Sequence, residues 1–129
     1  MNESDVLSMS GQTITVRTDF DIITARMKVR KLARAMGFTT VDQACISLAT
    51  SSLAKALELG ETHPGQIAMD GLDGGERKGV QVVCIKANAT TRDLSPRAFE
   101  EMRWMVDELT VETRPPNDLQ VTLVKWLTS

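Results

Sequence analysis

No tyrosine occurs in this chain of 129 residues, and its aromatics amount to three phenylalanines and two tryptophans. A platform that stacks nucleic-acid bases needs several aromatic faces along a basic groove. The charge balance opposes that as well, because 15 Lys and Arg against 17 Asp and Glu leave a formal net charge of −2. Nucleic acid is therefore not an expected partner. Histidine is reduced to His63, beside Pro64 in a loop-forming stretch. One imidazole with no second His and no acid at ligand spacing argues against zinc, and a Ser-His-Asp triad would have to recruit this single residue. The two cysteines, Cys45 and Cys84, form no CxxC pair and lie inside apolar runs. They read as buried thiols that behave as small hydrophobes. No apolar run reaches the roughly 18 to 20 residues that span a bilayer. The opening "MNESDVLSMSGQ" is polar and lacks the apolar core of a signal peptide. A cytoplasmic protein without a membrane partner is the expectation.

What is present is an ordinary globular composition, 42% hydrophobic and 25% charged, long enough for one real core. Residues 1 to 10 read as a flexible leader and 11 to 129 as one domain. "QTITVRT" (12–18) alternates and is rich in β-branched residues, which predicts a strand. Asp19 or Asp21 then caps a helix running to about Met36, with an apolar stripe of Ile22, Ala25, Val29, Leu32, Ala33 and Met36. Gly37 stops it. The same helix carries five cations, Arg26, Lys28, Arg30, Lys31 and Arg34. They read either as a solvated face, whose later charges suit the negative helix end, or as a docking surface for an acidic protein.

Thr39 and Thr40 offer a cap for a second helix, "VDQACISLATSSLAKALELG" (41–60). Its periodicity predicts Val41, Ala44, Cys45, Leu48, Ala49, Ser52 and Ala56 inward, with Gln43, Ser47, Ser51, Lys55 and Glu58 outward. "QIAMDGL" (66–72) and "GVQVVCIKA" (79–87) read as strands of a hairpin around the glycine-rich turn "DGGERKG". No helix N-terminus follows those glycines, so they are not a phosphate cradle. Ser95 and Pro96 start a third helix. It is expected to reach about Leu109 and to bury Phe99, Met102, Met105, Val106 and Leu109. "TVETR" and "LQVTLVKWL" close the chain as strands around the turn "PPND". The predicted fold class is α+β: a two-layer sandwich of a mostly antiparallel sheet of about five strands with three helices on one face.

The stretches "RTDFDIITARMKVRKLARAMGFTTVDQA", "TTVDQACISLATSSLAKAL", "MVDELTVET" and "VTLVKWL" together resemble the anti-sigma-factor serine kinases. These belong to the GHKL superfamily of ATPases, alongside histidine kinases, and the likeness is nearest to the switch kinase of stressosome signalling. It covers roughly residues 12 to 127 and implies a Bergerat-like nucleotide fold. In that family a helix carries a Glu as general base and, one turn on, an Asn that holds Mg²⁺. The resemblance puts Ser52 and Ala56 at those positions, and neither can take a proton unaided or supply a metal ligand. The family then uses an Asp that accepts from the adenine amine, followed by Gly-x-Gly. Lys86 stands at the Asp position and Asn88 and Thr90 at the glycines. A cation there reverses the polarity, and the added side chains restrict positive φ. A glycine-rich lid is replaced by "PRAFEEMRW", which puts Glu100 and Glu101 near the phosphate position, where carboxylates repel an anion.

The resemblance thus implies a degenerate bacterial pseudokinase with no ATP, Mg²⁺ or other cofactor, acting by binding protein in a transcription or stress-signalling switch. The partners it implies are a STAS-domain protein, a sigma factor or a phosphatase. Arg26 matches a family arginine that contacts partners, with Arg30 and Arg34 one and two turns beyond. Two further readings stay open. One is an active ATP- and Mg²⁺-dependent serine/threonine kinase acting on a STAS-type antagonist. The other is a structural subunit of a regulatory assembly, as a homo-oligomer or within a larger particle.

Overall fold

The computed structural model describes residues 7–90 and 93–127, with side chains from Gly11 onward. The elements run β1 (Leu7–Val16), α1 (Asp19–Ala35), α2 (Thr40–Ala56), β2 (Gly65–Asp73), β3 (Lys78–Lys86), α3 (Pro96–Arg103), β4 (Glu108–Arg114) and β5 (Asp118–Trp126). The five strands form one sheet in the order β1-β2-β3-β5-β4, antiparallel at every pairing. Side chains alternate across a strand. Ile67, Met69, Val80, Val82, Cys84, Leu119, Val121 and Leu123 accordingly all point to one face and are buried there. With the helices on that face, the α+β sandwich expected from the sequence is the fold observed.

Strand β1 begins at Leu7, earlier than the alternating pattern marks, and pairs with β2 through a bulge between Met9 and Gln12. Residues 1 to 6 of the expected leader lie outside the described residues. At the start of α1 the Asp21 carboxylate accepts the backbone N–H groups of Arg17 at 2.9 Å and Thr18 at 3.1 Å. These bonds hold its pKa below the usual carboxylate range. The β2–β3 hairpin turns through Gly75 at φ 90°, where the Asp73 side chain accepts the Gly75 N–H.

The third helix is shorter than expected. It ends at Arg103, and Leu109 belongs to β4. The spacing of Met102, Met105, Val106 and Leu109 fits a helix, but strand pairing takes over. Asp107 donates its N–H to Val124 O at 2.9 Å and accepts the Trp126 N–H on its carboxylate at 2.6 Å. Met102 and Val106 still reach the core, while Trp104 is left 88% exposed at the helix end.

The faces of α2 also differ from the periodicity reading. Val41 is 71% and Leu48 46% exposed, and Ser52 is exposed too, whereas Gln43, Ser47 and Ser51 are buried. Only Ala49 of the expected inward set is fully buried. The reason is that α2 is covered on two sides. Ile46, Ala49, Leu53 and Leu57 join the core, and the Gln43–Ser47–Ser51 row lies toward α1. Gln43 shares a groove with Met27 and Arg34, and Ser51 shares a cleft with Ile22 and Arg26. Small side chains let two helices approach closely. Their hydroxyls bond within their own helix: Ser47 Oγ to Ala44 O at 3.1 Å, Thr50 Oγ1 to Ile46 O at 2.8 Å and Ser51 Oγ to Leu48 O at 3.1 Å. No buried polar side-chain atom is without a hydrogen-bond partner among the described residues.

Cys84 is fully buried on β3, and the loss of hydration pushes its thiol up to about 12. Cys45 is half-buried. In the folded protein a chromogenic disulfide is expected to label Cys45 well ahead of Cys84, with Cys84 reacting only on unfolding. In the unfolded chain the Cys84 thiol ionises near 9.0, so between 9.0 and about 12 the unfolded state binds fewer protons. Cys84 therefore lowers stability as pH rises through that window, and urea midpoints measured across it check the sign. Equal labelling of both thiols in the native state would contradict this placement.

Candidate functional site

Two regions carry the residues singled out by the sequence. The first lies at the end of β3. Lys86 is the last residue of that strand, paired across the sheet with Gly65 and Leu119. Strand alternation aims its side chain to the core face, where only 5% of the residue is exposed. An ammonium ion there requires a counter-charge, and Asp93 supplies one, its Oδ1 lying 3.8 Å from Lys86 Nζ. The same carboxylate accepts the Thr90 N–H at 2.7 Å, and the Asp93 N–H returns to Thr90 O at 2.9 Å. Ala89 donates its N–H to Asn117 O at 2.9 Å, tying this loop to the β4–β5 turn.

Asn88 sits at φ 54°. The sequence expectation was that a side chain here restricts positive φ. Instead the position keeps the left-handed backbone a glycine would favour, because asparagine tolerates that region better than other non-glycine residues. Asn88 and Thr90 are both exposed.

Ser52 and Ala56 share one face of α2, the first exposed and the second half-buried. This is the open stripe that also carries Val41 and Leu48. Glu100 and Glu101 are exposed on α3, and Glu101 lies 4.0 Å from Arg97 Nε. At the start of α3 the Ser95 hydroxyl accepts the Ala98 N–H at 3.1 Å, so the helix caps itself. Among the described residues no group of three or more His, Cys, Asp and Glu is placed to hold a metal ion. No helix of the described residues is long and apolar enough to cross a membrane.

The second region is the outward side of α1. Arg26, Arg30 and Arg34 are all exposed and fall one turn apart on one side of the helix. Arg26 also lines a cleft of about 340 Å³ with Asp19, Ile22, Ile23, Ser51 and Lys55. Beside the arginines, Phe20 is 71%, Ile23 52% and Met27 66% exposed. Sequence reading passed over these three apolar residues because the buried stripe of Ile22, Ala25 and Val29 already accounted for the helix. The signal was present as a second apolar row at i, i+3 and i+7. Lys55 and Asp93 were also missed as members of these regions, since only the tertiary fold brings them to Arg26 and Lys86.

No protein-family model matches the chain. Over 128 residues it is 25% identical to the serine/threonine-protein kinase RsbT of Bacillus subtilis strain 168, a match spanning 88% of this chain and 95% of that protein. The similarity supports the kinase-family resemblance drawn from the sequence and extends over nearly the full length of both chains.

Proposed function

We propose that this protein is a catalytically silent regulator that works by docking a protein partner in a signalling or transcription switch. The observation that carries the loss of nucleotide chemistry is Lys86, 5% exposed and ion-paired with Asp93. The resemblance assigns that position to an acid that accepts from an amine. A buried ammonium offers only donors and repels a donor. Ser52 and Ala56 add no base and no metal ligand on α2. With the chemistry gone, regulation by occupancy remains: docking holds or releases a partner and transfers no phosphate. The docking residues are Arg26, Arg30 and Arg34, and the partner classes are a STAS-domain protein, a sigma factor or a phosphatase.

Titration calorimetry with ATP and Mg²⁺ is expected to give no binding heat. Co-purification with each partner class from the same genome is expected to succeed for wild type. Arg26→Glu is expected to weaken it by about 100-fold, the usual size of a charge-reversed anchor. The curated similarity to a serine/threonine-protein kinase favours the second reading, an active kinase with a rearranged site. Saturable ATP binding together with phosphate transfer to a STAS-type partner would establish that reading and remove the first.

A further inference from the structure

We infer that the outward face of α1 receives an acidic amphipathic helix from a different protein. This rests on the protein-docking reading above and names the chemistry of the partner. With 3.6 residues per turn, the buried residues Ile22, Ala25, Val29 and Ala33 lie on one side of α1. Diametrically opposite runs the apolar ridge Phe20–Ile23–Met27, more than half exposed at each residue. Arg26 and Arg30 form a basic rail on one flank of this ridge and Lys28 and Lys31 a second on the other, while Arg34 stands in line with the ridge two turns beyond Met27.

No acid occurs in the sequence between Asp21 and Asp42 to neutralise the rails. None of the five cations is ion-paired among the described residues. The ridge is bordered by concave surface on both sides. A groove of about 620 Å³ runs past Phe20, Thr24, Met27, Leu32 and Ala35, and another of about 570 Å³ runs past Met27, Arg30, Arg34 and Gln43.

Apolar centre and charged flanks specify the complement: an apolar seam at i, i+3, i+4 and i+7 edged by Asp or Glu. A second copy of this chain fits poorly, because a two-fold contact places the same surface on itself and sets cation rails against each other. Nucleic acid fits poorly because an apolar ridge occupies the centre of the basic surface, where phosphates would lie. A lipid surface is less suited than a helix, because the ridge covers only two turns and grooves flank it, whereas interfacial helices present a long apolar face.

The test uses the full chain and a fluorescent synthetic helical peptide with leucines at the seam positions and glutamates on both flanks. Anisotropy is read beside a control peptide whose leucines are serines, and beside anionic phosphatidylglycerol vesicles. The leucine peptide is expected to bind at least about tenfold more tightly than the serine peptide. The double variant Phe20→Ser/Met27→Ser is expected to erase that preference, and Arg30→Glu to weaken binding and flatten its salt dependence. All three positions are exposed, so folding is expected to survive, and an unchanged melting temperature verifies it.

Equal binding of the two peptides would overturn the proposal in favour of plain charge attraction. Tighter binding to vesicles would overturn it in favour of a membrane. A sedimentation mass of two chains that falls to one in the Phe20→Ser/Met27→Ser variant would assign the face to a second copy. If co-purification depends on Arg26 but the leucine peptide does not bind, the docking function stands and the helical partner is wrong. If both fail, the docking reading itself falls.

Discussion

Leu53→Ala is expected to lower the unfolding free energy by about 3 kcal/mol, the middle of the range for a buried leucine in a packed core. Leu48→Ala, on the same helix, is expected to cost less than about 1 kcal/mol, because a side chain already half in water loses little burial. The contrast follows from the orientation of α2: Leu53 is fully buried and Leu48 is 46% exposed. The hydrophobic pattern of the helix does not distinguish the two faces, since both leucines sit among alanines and hydroxyls. Urea unfolding of the two variants at matched slopes measures the difference. Comparable losses would mean that α2 is turned the other way, with Leu48 inward. The orientation also bears on function, since it places Ser52 on the open side of the helix and Ala56 half-buried at the edge of the core.

The second large effect concerns the ion pair at the end of β3. Asp93→Ala leaves the Lys86 ammonium buried with no counter-charge. Removing one partner of a buried pair costs about 3 to 5 kcal/mol, and with the Asp93 side chain 40% exposed the expected loss is about 2 kcal/mol. Lys86→Met replaces the charge by an apolar chain of similar length and is expected to be within about 1 kcal/mol of wild type. The double variant is expected to recover most of the Asp93→Ala loss, with a residue left over from the Thr90 N–H that loses its acceptor. A double-mutant cycle from chemical denaturation measures the coupling. Additive losses would show that the 3.8 Å contact contributes nothing and that Asp93 acts only as a loop bond.

The same pair makes the Lys86 position informative for nucleotide chemistry. An acid introduced at 86 by substitution would face Asp93 as a like charge across the loop. Under the silent-regulator reading, a single acid at 86 is therefore a poor route to an adenine site, because Ser52 and Ala56 on α2 offer neither a base nor a metal ligand.

Strand positions, the hairpin around Gly75 and the Ser95–Pro96 start of α3 were legible because each rests on local chemistry: alternation, turn glycines, and a hydroxyl cap. The order of elements, and with it the α+β sandwich, followed from those signals. The end of α3 was not legible, because Met105, Val106 and Leu109 satisfy helical spacing and strand pairing equally. The pairing of Asp107 with Val124 and Trp126 across the chain decided it.

By itself, then, the sequence determined which segments are strands and helices, the end of α3 apart, that α1 carries a basic row with no acid between Asp21 and Asp42, and that positions 52, 56 and 86 hold Ser, Ala and Lys. Those are properties of residue identity and short-range spacing. Only the tertiary structure decided which face of α2 is covered, that Lys86 is held by Asp93, and that Phe20, Ile23 and Met27 stand exposed between the cations of α1. A helix with two apolar rows satisfies its own periodicity either way round. The choice between them is made by contact with the sheet and the neighbouring helix, where burial of Ile46, Leu53 and Leu57 favours one orientation, and bonds within α2 satisfy the hydroxyls buried with them.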